Sequence, residues 1–144
     1  GVINTPAEIV WHVLNDFNSH RFMKNTVKSV IMSKKGNKLV VYKQIRVFLS
    51  IISYSINVTM YPAKMITTYN HRTGPFKINR GRWILKPYKK NKTLMIYVSE
   101  LKTNDHIAMW LQKIILRTSI PDFYQDMRKQ CYKIYKKQKT FTGF

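Results

Sequence analysis

The shortness of the gaps between its strand-like runs limits this chain more than any other feature. From Thr26 onward, six stretches of β-type sequence follow one another: TVKSVIMS, LVVYKQIRVF, SYSINVTMY, MITTYNH, INRGRWILKP and TLMIYVSEL. Gly36, Pro62, Gly74, Pro75 and Pro87 punctuate them. A parallel crossover needs about a dozen residues or more, and no gap here supplies them. The spacing therefore predicts an antiparallel meander. Alternation is imperfect, as in KLVVYKQIRV, which predicts a curved sheet with one face in a core and the other partly wetted.

Helices are predicted only at the two ends. INTPAEIVWHVLNDF starts as the end of a strand and turns into an amphipathic helix. Thr5 is placed to act as N-cap, Pro6 fits the first helical position, and Glu8 completes a capping box. Ile9, Val10, Val13, Leu14 and Phe17 share one face, with Trp11 at its edge as a core residue. NSHRFM then predicts a short helical turn. From Asp105 the helical period returns, with Ile107, Trp110, Leu111, Ile114 and Ile115 on one stripe. Ser119, followed by Pro121 and Asp122, is predicted to restart a second, longer helix. Its stripe runs Ile120, Phe123, Met127, Cys131 and Ile134. A sheet burying one face needs a cover, and only the C-terminal helix is long enough. A curved sheet gripping one helix rarely fills its interior, which leaves room for an apolar cavity.

The charge is lopsided. Twenty-six Lys and Arg face six Asp and Glu, a formal net charge of +20. Such a field attracts nucleic acid, acidic lipid headgroups or an acidic protein, without choosing among them. The basic residues gather in three places. One turn holds Lys34, Lys35 and Lys38, another holds Lys86, Lys89, Lys90 and Lys92, and the stretch from Arg128 to Lys139 includes Lys129, Lys133 and Lys136. The last two groups are candidates for contact with an anionic membrane surface. RNA would use the same lysines, with Tyr132 and Tyr135 stacking on bases, but no RNA-binding motif is present. The longest apolar run, VFLSIISYSINV, is interrupted by three serines and is too short to cross a bilayer. Compartment stays open: soluble, peripheral to a membrane, or exported if a signal preceded Gly1.

Catalytic patterns are missing. There is no Gly-x-Ser-x-Gly elbow, phosphate-binding glycine loop, His-Glu-x-x-His motif or paired cysteine. Cys131 stands alone and fits a packing role on its helical stripe. His12, His20, His71 and His106 are scattered, so neither a metal nor a cofactor is expected. Of the carboxylates, Glu8, Asp105 and Asp122 suit helix N-termini, and Asp16 follows the first helix. Glu100 and Asp126 are left, a thin supply for general acid–base chemistry. That weighs against an enzyme, although tyrosines and arginines orienting an enolate would still serve a cyclase.

Four stretches carry a family resemblance. They are TPAEIVWHVLNDF, RFMKNTVKSVIMSKKGNKLVVYKQ, GPFKINRGRWILKPYKKNKTLMIYVSEL and WLQKIILRTSIPDFYQDMRK. In this order and spacing the chain resembles the START/polyketide-cyclase/coenzyme-Q-binding-like (SRPBCC) superfamily over nearly its whole length. The resemblance implies an α+β helix-grip fold, a curved antiparallel β-sheet wrapped around a long C-terminal α-helix with a hydrophobic cavity between. It implies one START-like domain over residues 1–144, with a first strand cut down to Gly1–Asn4. It matches Asp16 to the family's structural aspartate. Its members hold lipids, sterols, quinone-like isoprenoids, polyketides or plant hormones, and include cyclases, lipid carriers and ribosome-association toxins.

The expectation is a protein that binds or transfers a hydrophobic ligand near an anionic membrane. The alternatives are a cyclase/aromatase-like enzyme using the same cavity and an RNA- or ribosome-binding protein. Alternation and helical stripe nominate Tyr42, Arg46, Trp83, Met95, Tyr97, Phe123 and Met127 for the cavity. Gln44 and Phe48 share the face of Tyr42 and Arg46, and Leu85 that of Trp83. An inward Arg46 would need an anionic or carbonyl partner, such as a ligand headgroup. An outward one would be a surface charge.

Overall fold

The computed structural model describes residues 1–47, 49–104 and 109–142. Its order is β1 (Val2–Ile3), α1 (Ala7–Asn15), a 3₁₀ turn at Phe17–Phe22, then six strands and a final helix. The strands are β2 (Thr26–Lys35), β3 (Lys38–Val47), β4 (Ser50–Tyr61), β5 (Ile66–Thr73), β6 (Phe76–Pro87) and β7 (Thr93–Thr103). The helix is α2 (Met109–Thr142). Strand order is β1-β7-β6-β5-β4-β3-β2, and every pairing is antiparallel. This is the α+β helix-grip arrangement, an open curved sheet with a long C-terminal helix. Phe48, Asp105, His106 and Ile107, which carried predictions above, lie outside the described residues, as do the side chains of Leu111 and Ser119.

The meander follows from its short turns, and its curvature from bulges. Pairing shifts register between Thr26 and Lys28, between Ile31 and Ser33, between Ser55 and Ile56, and between Phe76 and Ile78. Each such shift bends and twists its strand. The shift at the start of β6 explains why Phe76 and Asn79, three residues apart, are both buried. β5 and β6 stay paired only from Ile66 opposite Ile84 to Tyr69 opposite Gly81. Beyond that point each strand is held by its other neighbour, so the sheet parts between them.

α1 buries Ile9, Val10, Val13 and Leu14, and the following turn buries Phe17. Its start differs from expectation. Pro6 is the N-cap, and no side chain caps the helix. The Thr5 backbone is engaged elsewhere: its N–H donates to the Ile3 carbonyl at 2.8 Å, and its carbonyl accepts from the Thr93 hydroxyl at 2.6 Å. The capping box therefore does not form, and Thr5 Oγ1 is buried without a partner.

The C-terminal region is one helix of 34 residues with Pro121 inside it, not two helices meeting at Ser119. Proline removes one intrahelical donor, and the packing on either side carries the helix through. Met127 and Cys131 are fully buried in the main core, with Phe123 and Ile134 packed against it. The Tyr124 hydroxyl donates to the Met95 carbonyl at 2.6 Å, and Arg128 Nε donates to the Val2 carbonyl at 3.0 Å. Trp110, predicted on the stripe, is instead exposed. Asp122 sits within the helix rather than at an N-terminus, and it works as a tether described below.

A cavity between the sheet and the C-terminal helix

A cavity of about 370 Å³ lies between the concave face of the sheet and α2. That is within the range of about 300–1,000 Å³ typical of small-molecule sites. Its apolar wall is aromatic. Tyr69 and Trp83 have ring centroids 4.9 Å apart, Trp83 and Tyr97 5.1 Å, and Trp83 and Phe123 5.9 Å in a stacked arrangement. β5, β6 and β7 present Tyr69, Trp83 and Tyr97 side by side, and α2 brings Phe123 over them. At the other end of the wall Tyr54 meets Phe76 edge-on at 5.5 Å.

Polar groups converge on the same space. The Tyr69 and Tyr97 hydroxyls are 2.9 Å apart, and the Tyr69 hydroxyl donates to Ser99 Oγ at 3.3 Å. Burial raises the pKa of Tyr54, Tyr69 and Tyr97, so all three are neutral phenols at neutral pH. Asn79, also buried, lines the same wall. The Trp83 indole N–H is buried without an acceptor, a state that costs about 1–3 kcal/mol.

The same wall holds a pair that the sequence reading did not single out. Lys43 on β3 is buried, and its Nζ donates to His20 Nδ1 at 3.0 Å. His20 Nε2 donates to the Leu14 carbonyl at 2.8 Å, which fixes Nδ1 as the acceptor. Desolvation brings Lys43 down from 10.5 to about 8. Desolvation first, and the Lys43 charge second, hold His20 well below 6.5 and therefore neutral. The ammonium also lies 5.5 Å from the Phe17 ring centroid, a cation–π contact that partly offsets its burial.

The mouth is built by the lead-in to β2, the end of β3 and α2. Asp126 Oδ2 accepts the Lys24 backbone N–H at 2.8 Å. Asp122 accepts from the Asn25 amide at 3.4 Å and faces Lys24 Nζ at 3.8 Å. These two carboxylates tether α2 across the opening. Glu100, the other unassigned acid, pairs with exposed Arg80 at 2.7 Å.

The nominated residues divide. Trp83, Tyr97 and Phe123 line the cavity, and Arg46 borders it with an exposed side chain, as a surface charge. Met95 and Met127 are fully buried in the core beside it, outside its lining. Tyr42 points to the opposite face of the sheet. On β3 the buried phase is Leu39, Val41 and Lys43, not Tyr42, Gln44 and Arg46. That phase is also the more apolar one in the sequence, which was the available signal for Lys43. Lys86, Lys89, Lys90, Lys92, Lys129, Lys133 and Lys136 are all exposed. Burial pushes the Cys131 thiol up to about 12, leaving it a protonated packing group. Among the described residues, no three His, Cys, Asp or Glu side chains converge as a metal site.

Residues 3–128 match the family described as polyketide cyclase / dehydrase and lipid transport. No curated protein matches by sequence. Solved structures match across almost the whole chain. TTHA0849 from Thermus thermophilus aligns with TM-score 0.83 at 11% identity, covering 93% of this chain and 94% of that one. The Zhui aromatase/cyclase of Streptomyces sp. R1128 gives 0.77 at 18% identity, covering 92% and 90%. Human StAR-related lipid transfer protein 5 gives 0.72 at 14%, covering 93% and 74%. At such identities the likeness is one of fold.

Proposed function

Because this chain belongs to the polyketide cyclase / dehydrase and lipid transport family, we propose that its cavity holds a hydrophobic small molecule. The carrying observation is the aromatic wall of Tyr69, Trp83, Tyr97 and Phe123 around about 370 Å³ of space. A protein interior normally closes such voids. Flat rings from both the sheet and the helix suit a ligand with a planar or ring-containing body, which would lie against them. Binding or transfer is the reading this geometry favours over catalysis. The two carboxylates among the described lining residues, Asp122 and Asp126, are engaged in tethers at the mouth.

The test is uptake of N-phenyl-1-naphthylamine, a neutral fluorophore that brightens in apolar surroundings. The wild type should bind it saturably at one site. Ser99→Trp, which fills the cavity, should abolish uptake while keeping the fold. Equal uptake by both proteins would contradict the reading.

A finer reading, delivery at an anionic membrane, is favoured by what the elements around the mouth expose. Leu49 follows β3, and Met109 and Trp110 begin α2; all three are exposed apolar side chains on a chain of charge +20. The lysine-rich turn between β6 and β7 lies at the other end of that hairpin from Phe76. Contact through the mouth would therefore use Leu49 and Trp110 rather than Lys89 and Lys90. Cosedimentation with phosphatidylserine vesicles should weaken in a Leu49→Ser, Trp110→Ser double variant. Binding unchanged in that variant would remove the mouth from the contact.

A further inference from the structure

The cavity wall carries a buried cation that no acid among the described residues neutralises. Lys43 has three ammonium donors, and one goes to His20 Nδ1 at 3.0 Å. Its other neighbour is the Phe17 ring at 5.5 Å. Neither brings negative charge. The carboxylates that line the same cavity, Asp122 and Asp126, are turned to Lys24 and Asn25 at the mouth. A charge kept out of water in this way normally has an ionic partner.

Building on the proposal that the cavity holds a hydrophobic molecule, we infer that this molecule is an amphipathic acid, whose carboxylate pairs with Lys43 while its ring system lies against Trp83, Tyr97 and Phe123. The charge count selects a monoanion such as a carboxylate over a phosphate monoester, which is a dianion. Lys43 is the one buried lysine or arginine among the described residues of the cavity wall, since Lys24 and Arg46 are exposed at the mouth. A dianion would leave a second charge buried without a partner. The two free ammonium donors match the two oxygens of one carboxylate. The Asn79 amide and Ser99 hydroxyl, which line the same space, add neutral donors.

The pH dependence follows from the groups that face the cavity. They are His20 before β2, Tyr54 on β4, Tyr69 on β5, Tyr97 on β7, Lys24 and Arg46 at the mouth, and Asp122 and Asp126 on α2. Burial keeps His20 neutral, and the three tyrosines are raised above their ordinary range. Lys43, with its pKa of about 8, loses its proton as pH rises through that value. Preference for the acid should fade over the same interval.

The test compares 2-naphthylacetate with 2-(2-naphthyl)ethanol, which share a ring body and differ in charge. Tryptophan fluorescence titrations at roughly 0.3 M salt suppress attraction to the exposed lysines. At pH 7 the acid should bind the wild type roughly tenfold or more tightly than the alcohol. The difference should shrink towards pH 10, a measurement that needs no variant. In Lys43→Met the acid should lose its advantage while the alcohol still binds. Equal affinities at pH 7 would overturn this inference and leave the cavity reading standing. A preference kept in Lys43→Met would assign it to surface lysines and overturn the inference too. Binding of neither compound would contradict the cavity reading, and this inference with it.

Discussion

Holding an ammonium group in a cavity wall is unfavourable, and desolvation lowers the pKa of Lys43 for that reason. The displacement from 10.5 to about 8 corresponds to about 3 kcal/mol of preference for the neutral form on folding. The unfolded chain holds this proton more tightly than the folded one. Stability therefore rises as pH climbs from 8 to 10.5. Lys43→Met should raise stability at pH 7 by about 1–2 kcal/mol, reduced by the donor that His20 loses. The gain should shrink or reverse by pH 10, as read from urea midpoints at the two pH values. His20 acts in the same direction at lower pH. It is neutral when folded and protonates freely when unfolded, so stability should fall below pH 6.5 by up to about 1.4 kcal/mol per unit. His20 is not legible as a cavity residue in the sequence, and Lys43 is so only through the more apolar phase of β3. Alternation on β3 is visible there, but the polar phase holding Arg46 draws attention away from the one holding Lys43. His20 becomes a partner only when a 3₁₀ turn meets a strand 23 positions away.

At the scale of elements, α2 tests how far local signals can be overruled. Pro121 and Ser119 read as a helix boundary, yet burial of Met127 and Cys131 on one side and Ile115 on the other keeps the helix continuous. Propensity is a weak prior against tertiary packing of this kind. The six main strands, their turns and the buried face of α1 are readable because a period of two or of 3.6 survives in the sequence. The true start of α1 is not, because Thr93 on a distant strand takes the Thr5 carbonyl. Met127→Ala should cost about 2–5 kcal/mol, as expected for a fully buried core methionine. Pro121→Ala should instead stabilise the chain by about 1–3 kcal/mol, since Pro121 is exposed within the helix. Chemical denaturation of each variant measures both effects. Gly81, where β5 and β6 separate, is a place where only glycine fits. A Cβ there would strike the Val98 carbonyl and lie 2.7 Å from the Tyr69 hydroxyl.

For the whole molecule, the parting of β5 from β6, the inward bulge of β6 and the span of α2 together leave a cavity that no single element forms. Its existence is foreseeable from a sheet with one long cover. Its lining is foreseeable only in part, since Trp83, Tyr97 and Phe123 follow the sequence periods, whereas Asn79 is turned in by a register shift. The +20 charge sits mostly on the outside, away from the cavity. What this interior should hold is a hydrophobic molecule. Native mass spectrometry of the purified protein, before and after organic extraction, tests this most directly. A discrete added mass should leave with the solvent and return when the extract is added back. A protein that stays at its bare mass, even after addition of a membrane extract, would contradict it.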